Sequence, residues 1–503
     1  MTHILLGGTG TKQVQIDTSL LNRHGLIAGA TGTGKTVSLQ VMVEQLSRAG
    51  VPVFLPDVKG DLSGLASAGK PHPKVTERLD YIGISEHNFA PLPTVFWDVR
   101  GTSGHPLRTT ISDIGPLLLS NLLELNETQT GILYACFKEA DEQGWLMLDI
   151  EDLNAMLAWL GENAAELKTV YGNISSSSIG AIKRRLLILE EQGIADFLGE
   201  PALELKDIMA VNDAGEGAVN ILHAVTLLRD SPRLYSTILL WLLSELFEEL
   251  PEVGDPDKPK LVIFLDEAHL LFKTSNKSLT EKIENVVRLI RSKGVGVFFV
   301  SQNPLDIPSE VAGQLGLKIQ HALRAFTGKD RKALKAVAES FRDNPEFETL
   351  TVLPELGTGE ALVSCLDKKG RPQPVEKTLI CPPISRIGPL TEAERKVELA
   401  RSAFGEKYDV RINRESAHEL LLKRTEQQMA ETKAAESAEQ RQLERERAAK
   451  QESKQRTAAA KPKRRASNRQ SVGEALMKSI SRAVGSQLGR QIARGILGSI
   501  FKR

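Results

Sequence analysis

Cysteine is scarce in this chain, with three in 503 residues. Cys136, Cys365 and Cys381 are widely spaced and odd in number, which excludes a disulfide framework and a cysteine metal site. Such usage fits a reducing compartment, so a cytoplasmic protein is expected. Aromatic residues make up only 5%, yet apolar residues reach 41%, enough for a large core. Neither sign of charge is in excess: 64 basic residues balance 64 acidic ones. No global field therefore draws nucleic acid or a membrane, and any such contact must be local. No uninterrupted apolar run approaches 20 residues, which excludes a membrane-spanning helix. Ile238 to Leu250 comes nearest, but Ser244, Glu245 and Glu248 interrupt it, so it reads as a core helix. The N-terminus lacks the charged-then-apolar pattern of a signal peptide. The length implies two or three folded units.

What is present begins with Gly29-Ala30-Thr31-Gly32-Thr33-Gly34-Lys35-Thr36. It fits the phosphate-binding loop G-x-x-x-x-G-K-[ST]. The context is right: His24 to Ala28 is a short apolar lead-in strand. Val37 to Ser47 follows with helical spacing through Leu39, Met42, Val43 and Leu46, and Val51 to Leu55 reads as the next strand. Backbone N–H groups of such a loop, with a helix N-terminus behind them, favour phosphate. Lys35 would reach the β- and γ-phosphates of a nucleotide such as ATP, and Thr36 would hold Mg2+.

A second motif is Leu261-Val262-Ile263-Phe264-Leu265-Asp266-Glu267, an apolar strand ending in two acids. Two carboxylates at the end of a buried strand are costly unless a cation is held there. Asp266 is the expected Mg2+ residue, and Glu267 the group that activates water. Ser301-Gln302-Asn303 follows the strand Val295 to Val300, where the Gln302 amide is placed to sense a γ-phosphate. A helix cap or turn explains the same residues equally well. Phosphoryl transfer also calls for a cation on the γ-phosphate, commonly an arginine from a neighbouring subunit. Arg288, Arg291 and Arg324 are candidates, with Arg291 and Arg324 preferred.

Strands alternate with helices, which argues an α/β fold with a mostly parallel sheet. Further strands are expected at 14–17, 94–99, 217–222 and 318–326, and Thr109 to Ile111 is expected to pair with 94–99. The loop Asp57-Val58-Lys59-Gly60-Asp61 falls at a strand's C-terminal end, where ligands sit in open α/β sheets. From about 115 to 200 the pattern turns helical and reads as an insertion. Lys183, Arg184 and Arg185 within it read as a solvated helix face rather than a phosphate contact. The ATPase core is expected over 1–385, a charged helical or disordered linker over 386–470, and a basic, glycine-containing amphipathic helix over 471–503.

The motifs together resemble the HerA–FtsK superfamily of P-loop motor ATPases, and most closely the bacterial HerA-like proteins of the YjgR type. The resemblance rests on Leu21 to His24 running into Gly29–Thr36, on Asp57–Asp61, on Leu261–His269, and on Arg291 to Val297 leading to Ser301-Gln302. It implies a RecA-like fold, a homo-hexameric ring and ATP-driven movement on double-stranded DNA. Arg291 matches an arginine that HerA-type proteins carry just before this strand. HerA helicases also place a small β-barrel before the loop that docks a nuclease. Fewer than 30 residues precede Gly29, so a complete barrel is not expected there, which puts the nuclease partnership in doubt.

In the tail, Leu476, Ile480, Val484, Leu488, Ile492, Ile496 and Ile500 recur every four residues, beside Ser481, Gly485, Gly489 and Ala493. Three readings stay open for 473–503: a self-association helix, a basic helix lying on a membrane surface, or a helix docked on its own core. A nucleotide-gated assembly or membrane-associated scaffold that moves no DNA is accordingly the alternative to a motor.

Overall fold

The computed structural model describes residues 3–459 apart from 255, 274 and 276. The tail at 471–503, with its three readings, lies outside the described residues.

Among the described residues twelve strands form one sheet. In chain order they are β1 (His3–Gly8), β2 (Gln13–Asp17), β3 (Gly25–Ala28), β4 (Val53–Asp57), β5 (Thr94–Asp98) and β6 (His105–Pro106). Then come β7 (Val219–His223), β8 (Leu261–Leu265), β9 (Val295–Ser301), β10 (Leu317–Gln320), β11 (Glu360–Ser364) and β12 (Glu376–Ile380). The spatial order is β2-β1-β12-β11-β10-β3-β9-β8-β4-β7-β5-β6. From β10 to β6 every pairing is parallel, whereas β2, β1, β12, β11 and β10 pair antiparallel along one edge. The mostly parallel α/β sheet expected from the alternation is therefore present.

Both faces of the central strands are covered, which is why they read as continuous apolar runs. Side chains alternate between the faces. Ile27, Leu55, Phe264 and Phe298 point to the layer holding Leu39, Met42, Val43 and Leu46. Those four belong to the helix α1 (Lys35–Arg48). Leu26, Phe54, Ile263 and Phe299 point the other way, into a larger core built by the helical segment and by the helix Pro232–Glu249.

The helical segment is punctuated by its own caps. Thr110 with Asp113, Asn126 with Gln129, and Asp149 with Asp152 form reciprocal capping boxes, and the Ser175 side chain caps the helix Ser176–Glu191. Each cap satisfies helix-terminal N–H groups that otherwise lack partners. Arg185 is taken up within this segment, donating to the Leu123 carbonyl and to Glu124.

Two expected strands are corrected. Thr109 to Ile111 does not pair with β5. The short β6 does, in parallel, while Thr109 bridges Leu198 and Ile111 opens a helix. The Thr110–Asp113 capping box decides this locally. The strand expected over 318–326 ends at Gln320, because the chain then turns to pass beneath the phosphate loop.

The compact unit extends to Arg424, past the boundary at 385 suggested by composition. Tyr408 is fully buried, and its hydroxyl meets Asp207 and the Glu204 N–H. The Arg108 guanidinium donates to the Tyr408 carbonyl at 2.8 Å. Arg395 lies over the Phe96 ring, and the buried Asp152 carboxylate accepts from the Ser416 hydroxyl and the His418 N–H. The helix Ala417–Ala459 follows, and beyond Leu421 its described side chains are exposed. No helix among the described residues is long and apolar enough to cross a membrane.

Candidate functional site

Because β3, β4, β8, β9 and β10 run parallel, their C-terminal ends share one edge of the sheet. That edge gathers the phosphate loop after β3, Asp57 at the end of β4, Asp266-Glu267 after β8, Gln302 after β9 and His321 after β10. In-register pairs such as Ala28 with Ser301 and Ala28 with Gln320 set the alignment.

The loop is tied down by its neighbours rather than by itself alone. Gly29 N–H donates to the Ser301 carbonyl at 3.3 Å and Ala30 N–H to the Ala322 carbonyl at 2.9 Å. Thr33 holds the far side, its hydroxyl donating to Ala30 and its carbonyl accepting from Gly359 N–H. A Cβ at Gly29 would lie 2.5 Å from the His321 Cβ, so only glycine fits there. Gly34 caps α1 at φ 116°, a left-handed value that disfavours any side chain.

Lys35 and Thr36 form the first turn of α1, so both sit where the helix dipole and free N–H groups favour an anion. The Lys35 ammonium donates to the Gly29 carbonyl at 2.5 Å and the Ala30 carbonyl at 3.0 Å. Burial holds its pKa below the usual lysine range. The nearby Lys59 ammonium pushes the same way, and Asp266 and Glu267 oppose both. Asp266 is 9% exposed, and burial pushes its carboxyl up to about 6, against the pull of Lys59 and Lys35. Glu267 N–H donates to Asp266 Oδ1 at 2.9 Å, and the buried Tyr235 hydroxyl donates to the Asp266 carbonyl at 2.6 Å.

Glu267 adopts φ 48°, a left-handed conformation unusual for a non-glycine residue and costing on the order of 1 kcal/mol or more. The strain directs its carboxylate. Gln302 Nε2 donates to Glu267 Oε1 at 3.2 Å, and His269 Nδ1 lies 3.4 Å from Oε2. Oε2 is buried and has no hydrogen-bond partner among the described residues. A desolvated carboxylate oxygen beside Asp266 and Lys35 suits a bound, polarised water or the shell of a cation. Among the described residues no cluster of three or more His, Cys, Asp and Glu side chains forms a metal cage. Mg2+ held largely by phosphates and waters needs only one or two protein ligands, and the Thr36 hydroxyl and Asp266 carboxylate are oxygen donors that would fit that role.

The two arginines separate. Arg324 lies in the loop after β10, two residues past the Ala322 that binds Ala30, and its guanidinium donates to the Pro354 carbonyl. Arg291 precedes β9 and is therefore at the opposite edge. Seven residues of extended strand put it roughly 20 Å from the phosphate loop of its own chain. There it shares a cavity of about 390 Å3 with Arg23, Arg288 and Lys318.

Two residues of the site were not assigned from sequence. Lys59 had a signal, since it lies in the Asp57–Asp61 loop at a strand end. The buried Asp57 carboxylate accepts from the N–H groups of Gly60, Asp61 and Leu62, and so shapes the turn that presents Lys59. His321 had none. It is fully buried beneath the loop, bonded to the Ser38 hydroxyl at 2.8 Å and to the Glu360 carbonyl at 2.8 Å. The Glu360 carbonyl can only accept, so Nδ1 is the donor; burial favours the neutral ring, whose Nε2 then accepts from the Ser38 hydroxyl.

The helicase HerA-like C-terminal family matches residues 3–503 of the sequence. The chain belongs to that family. It is a HerA-like protein carrying a P-loop. It is 24% identical over 363 residues to the DNA double-strand break repair helicase HerA of Sulfurisphaera tokodaii, covering 70% of this chain and 64% of that one. The HerA of Sulfolobus acidocaldarius is 23% identical over 358 residues, with the same coverage. The HerA-like chain thus spans just under two thirds of the length of these relatives. Its fold is similar to that of the plasmid coupling protein TrwB in complex with a non-hydrolysable GTP analogue. The TM-score is 0.52 at 14% identity, covering 78% of this chain and 92% of TrwB.

The buried His321 leads to a pH prediction for this HerA-like protein. Burial lowers its pKa from 6.5 to about 4, with the nearby Lys35 ammonium pushing the same way. The unfolded chain therefore binds the extra proton first as pH falls. Stability from the neutral ring is complete above pH 6.5 and is lost progressively down to about pH 4. We expect stability to fall between pH 7 and 5 by on the order of 2 kcal/mol from this residue, read as a falling melting temperature. His321→Gln should flatten that part of the profile; an unchanged slope would remove His321 as the cause.

Proposed function

We propose that the chain is an ATP-hydrolysing motor that assembles as a ring and moves along double-stranded DNA. One observation carries the chemical part: Lys35, Thr36, Asp266, Glu267 and Gln302 converge on a single sheet edge, with Gln302 bonded to Glu267 at 3.2 Å. In this reading Lys35 and the loop amides bind the β- and γ-phosphates. Thr36 and Asp266 hold Mg2+, which when bound neutralises charge on the phosphate oxygens. The Glu267 carboxylate accepts a proton from the attacking water. Gln302 fixes the Glu267 rotamer and senses whether the γ-phosphate is present.

The position of Arg291 supports a ring. A guanidinium at the far edge of the sheet is out of reach of its own phosphate loop, and in a ring that edge would lie toward the loop of an adjacent subunit. Arg324, on the near edge, is the alternative source of that charge. The DNA part is supported by the HerA relatives, which are named as DNA double-strand break repair helicases.

The test is ATP turnover with and without duplex DNA, on full-length protein whose oligomeric state has been measured. We expect an oligomer whose turnover rises at least about threefold with duplex. Turnover indifferent to DNA in an assembled sample would sink the translocase reading while leaving the ATPase intact.

A further inference from the structure

A lysine outside both motifs faces the same acids as the phosphate loop. Resting on the phosphate-binding reading of that loop, we propose that Lys59 is a second catalytic lysine of the same chain, contacting the γ-phosphate and offsetting its charge during hydrolysis.

Strand pairing puts the residue there. β4 lies parallel beside β8, with Val53 opposite Val262 and Phe54 opposite Ile263. Continued along the strands, that register sets Asp57 level with Asp266. The turn that follows is therefore next to the acidic end of β8, and Lys59 is two residues into it. The turn is fixed at both ends. The buried Asp57 carboxylate takes the N–H groups of Gly60 and Asp61 on one oxygen, at 2.7 and 3.1 Å, and that of Leu62 on the other, at 3.1 Å. The Asp57 carbonyl accepts from Ala224 N–H at 3.0 Å. Leu62 and Ser63 are buried, and the Ser63 hydroxyl accepts from Leu390 N–H at 2.9 Å. The nearest carboxylate in sequence is thus taken up by backbone. Lys59 itself is exposed and has no hydrogen bond or ion pair among the described residues.

The charges around it show where its ammonium acts. Burial governs the Asp266 carboxyl, and among the charges acting on it Lys59 comes first, ahead of Glu267 and Lys35. After burial, Lys59 is also the strongest influence on the Lys35 ammonium. Two ammonium groups close enough to repel, one of them unpaired, suit an anion that both can reach. A phosphate arriving there meets the carboxylates of Asp266 and Glu267. Lys35 alone leaves that set net negative, and Lys59 brings it to neutral before Mg2+ is counted. The arginines do not fill this role within one chain, since Arg291 is at the far edge and Arg324 is turned to Pro354. In the step itself Lys59 keeps its proton and forms no bond. The water oxygen joins phosphorus, its proton goes to Glu267, the bond to the leaving ADP breaks, and the ammonium offsets charge on the phosphoryl oxygens. A structural role would differ: burial and Asp57 push the Asp61 carboxyl up, and Lys59 opposes them, so the lysine could serve only as a counter-charge for the turn.

The test separates these roles on the full chain with Lys59→Ala, Lys59→Arg and Lys35→Ala. Calorimetry measures binding of the imido analogue of ATP and of ADP, each with Mg2+. Single-turnover hydrolysis measures the chemical step, and thermal melting reports the fold. For Lys59→Ala we expect the analogue to bind at least about tenfold more weakly while ADP stays within about twofold, the loss of one charge-assisted contact to the γ-phosphate. The hydrolysis rate should fall at least about 30-fold. Lys59→Arg, which keeps the charge, should return both quantities to within about fivefold of the unaltered chain. The melting temperature should hold, because the side chain is exposed. Equal weakening of analogue and ADP, or a lowered melting temperature with their affinity ratio unchanged, would reduce Lys59 to a counter-charge and overturn the proposal. Unchanged analogue affinity and hydrolysis in Lys59→Ala would overturn it too. If Lys35→Ala leaves both nucleotides bound at full strength, the phosphate reading fails first and takes this proposal with it.

Discussion

Glu267→Gln should reduce ATP turnover by about 100- to 10,000-fold, the range expected when a positioned general base is lost, while nucleotide binding is retained. The substitution is close to isosteric. An amide carbonyl at Oε1 still accepts from Gln302 Nε2, which donates at 3.2 Å. The backbone cost of φ 48° at this position is the same for both side chains, so the fold and the residue's direction are preserved. What disappears is the negative charge and the ability to take a proton from water. Single-turnover hydrolysis beside equilibrium nucleotide binding separates the two effects. Turnover within a few-fold of the unaltered chain would remove Glu267 from the catalytic role and move attention to His269, whose Nδ1 lies 3.4 Å from it.

Lys35→Ala should act one step earlier and lose the nucleotide itself, by at least about 100-fold in affinity. Charge-assisted hydrogen bonds are worth about 1.5–3 kcal/mol each, and this ammonium would make them to two phosphate groups. In the structure its protons go to the Gly29 and Ala30 carbonyls. Phosphate oxygens are stronger acceptors than these amide carbonyls, so the side chain is already desolvated and directed for the exchange. Burial and Lys59 lower its pKa, which favours a ligand that brings negative charge. The loop should survive the substitution, because Ser301, Ala322 and Gly359 anchor it independently. A melting temperature close to the original, together with absent binding in calorimetry, is the expected pair of results. Binding retained at full strength would refute the phosphate role of the loop.

These two predictions draw on different amounts of sequence information. The Lys35 loop and the acidic end of β8 are contiguous stretches, legible because each combines a local hydrophobic pattern with a fixed motif. The helical segment from about 115 was legible as a change of period, but the Thr110–Asp113 box that opens it falls where a strand was expected. The pairing of Glu267 with Gln302 spans 35 positions, and sequence alone left Gln302 equally consistent with a turn. Tyr408 and Ser416 sit in a stretch whose charged composition resembles a linker, yet they are buried against Asp207 and Asp152. Single apolar or polar anchors between charged residues leave no periodic trace.

Local order and its consequences therefore divide cleanly in this protein. Residue order alone was enough to place a phosphate loop on a strand–turn–helix, an acidic pair on a buried strand, and parallel strands between helices. Backbone conformation and period depend on near neighbours, so composition over a few residues suffices. Which strand ends meet was settled by sheet register. That register brings His321 under Gly29 and Lys59 beside Lys35 and Asp266. It also sends Arg291 to the far edge. Those contacts join positions tens to hundreds of residues apart through backbone pairing and packing, and no short window of sequence contains both partners. The phosphate chemistry is thus written in one octapeptide, while the second lysine beside it and the separation of its arginines exist only in the folded chain.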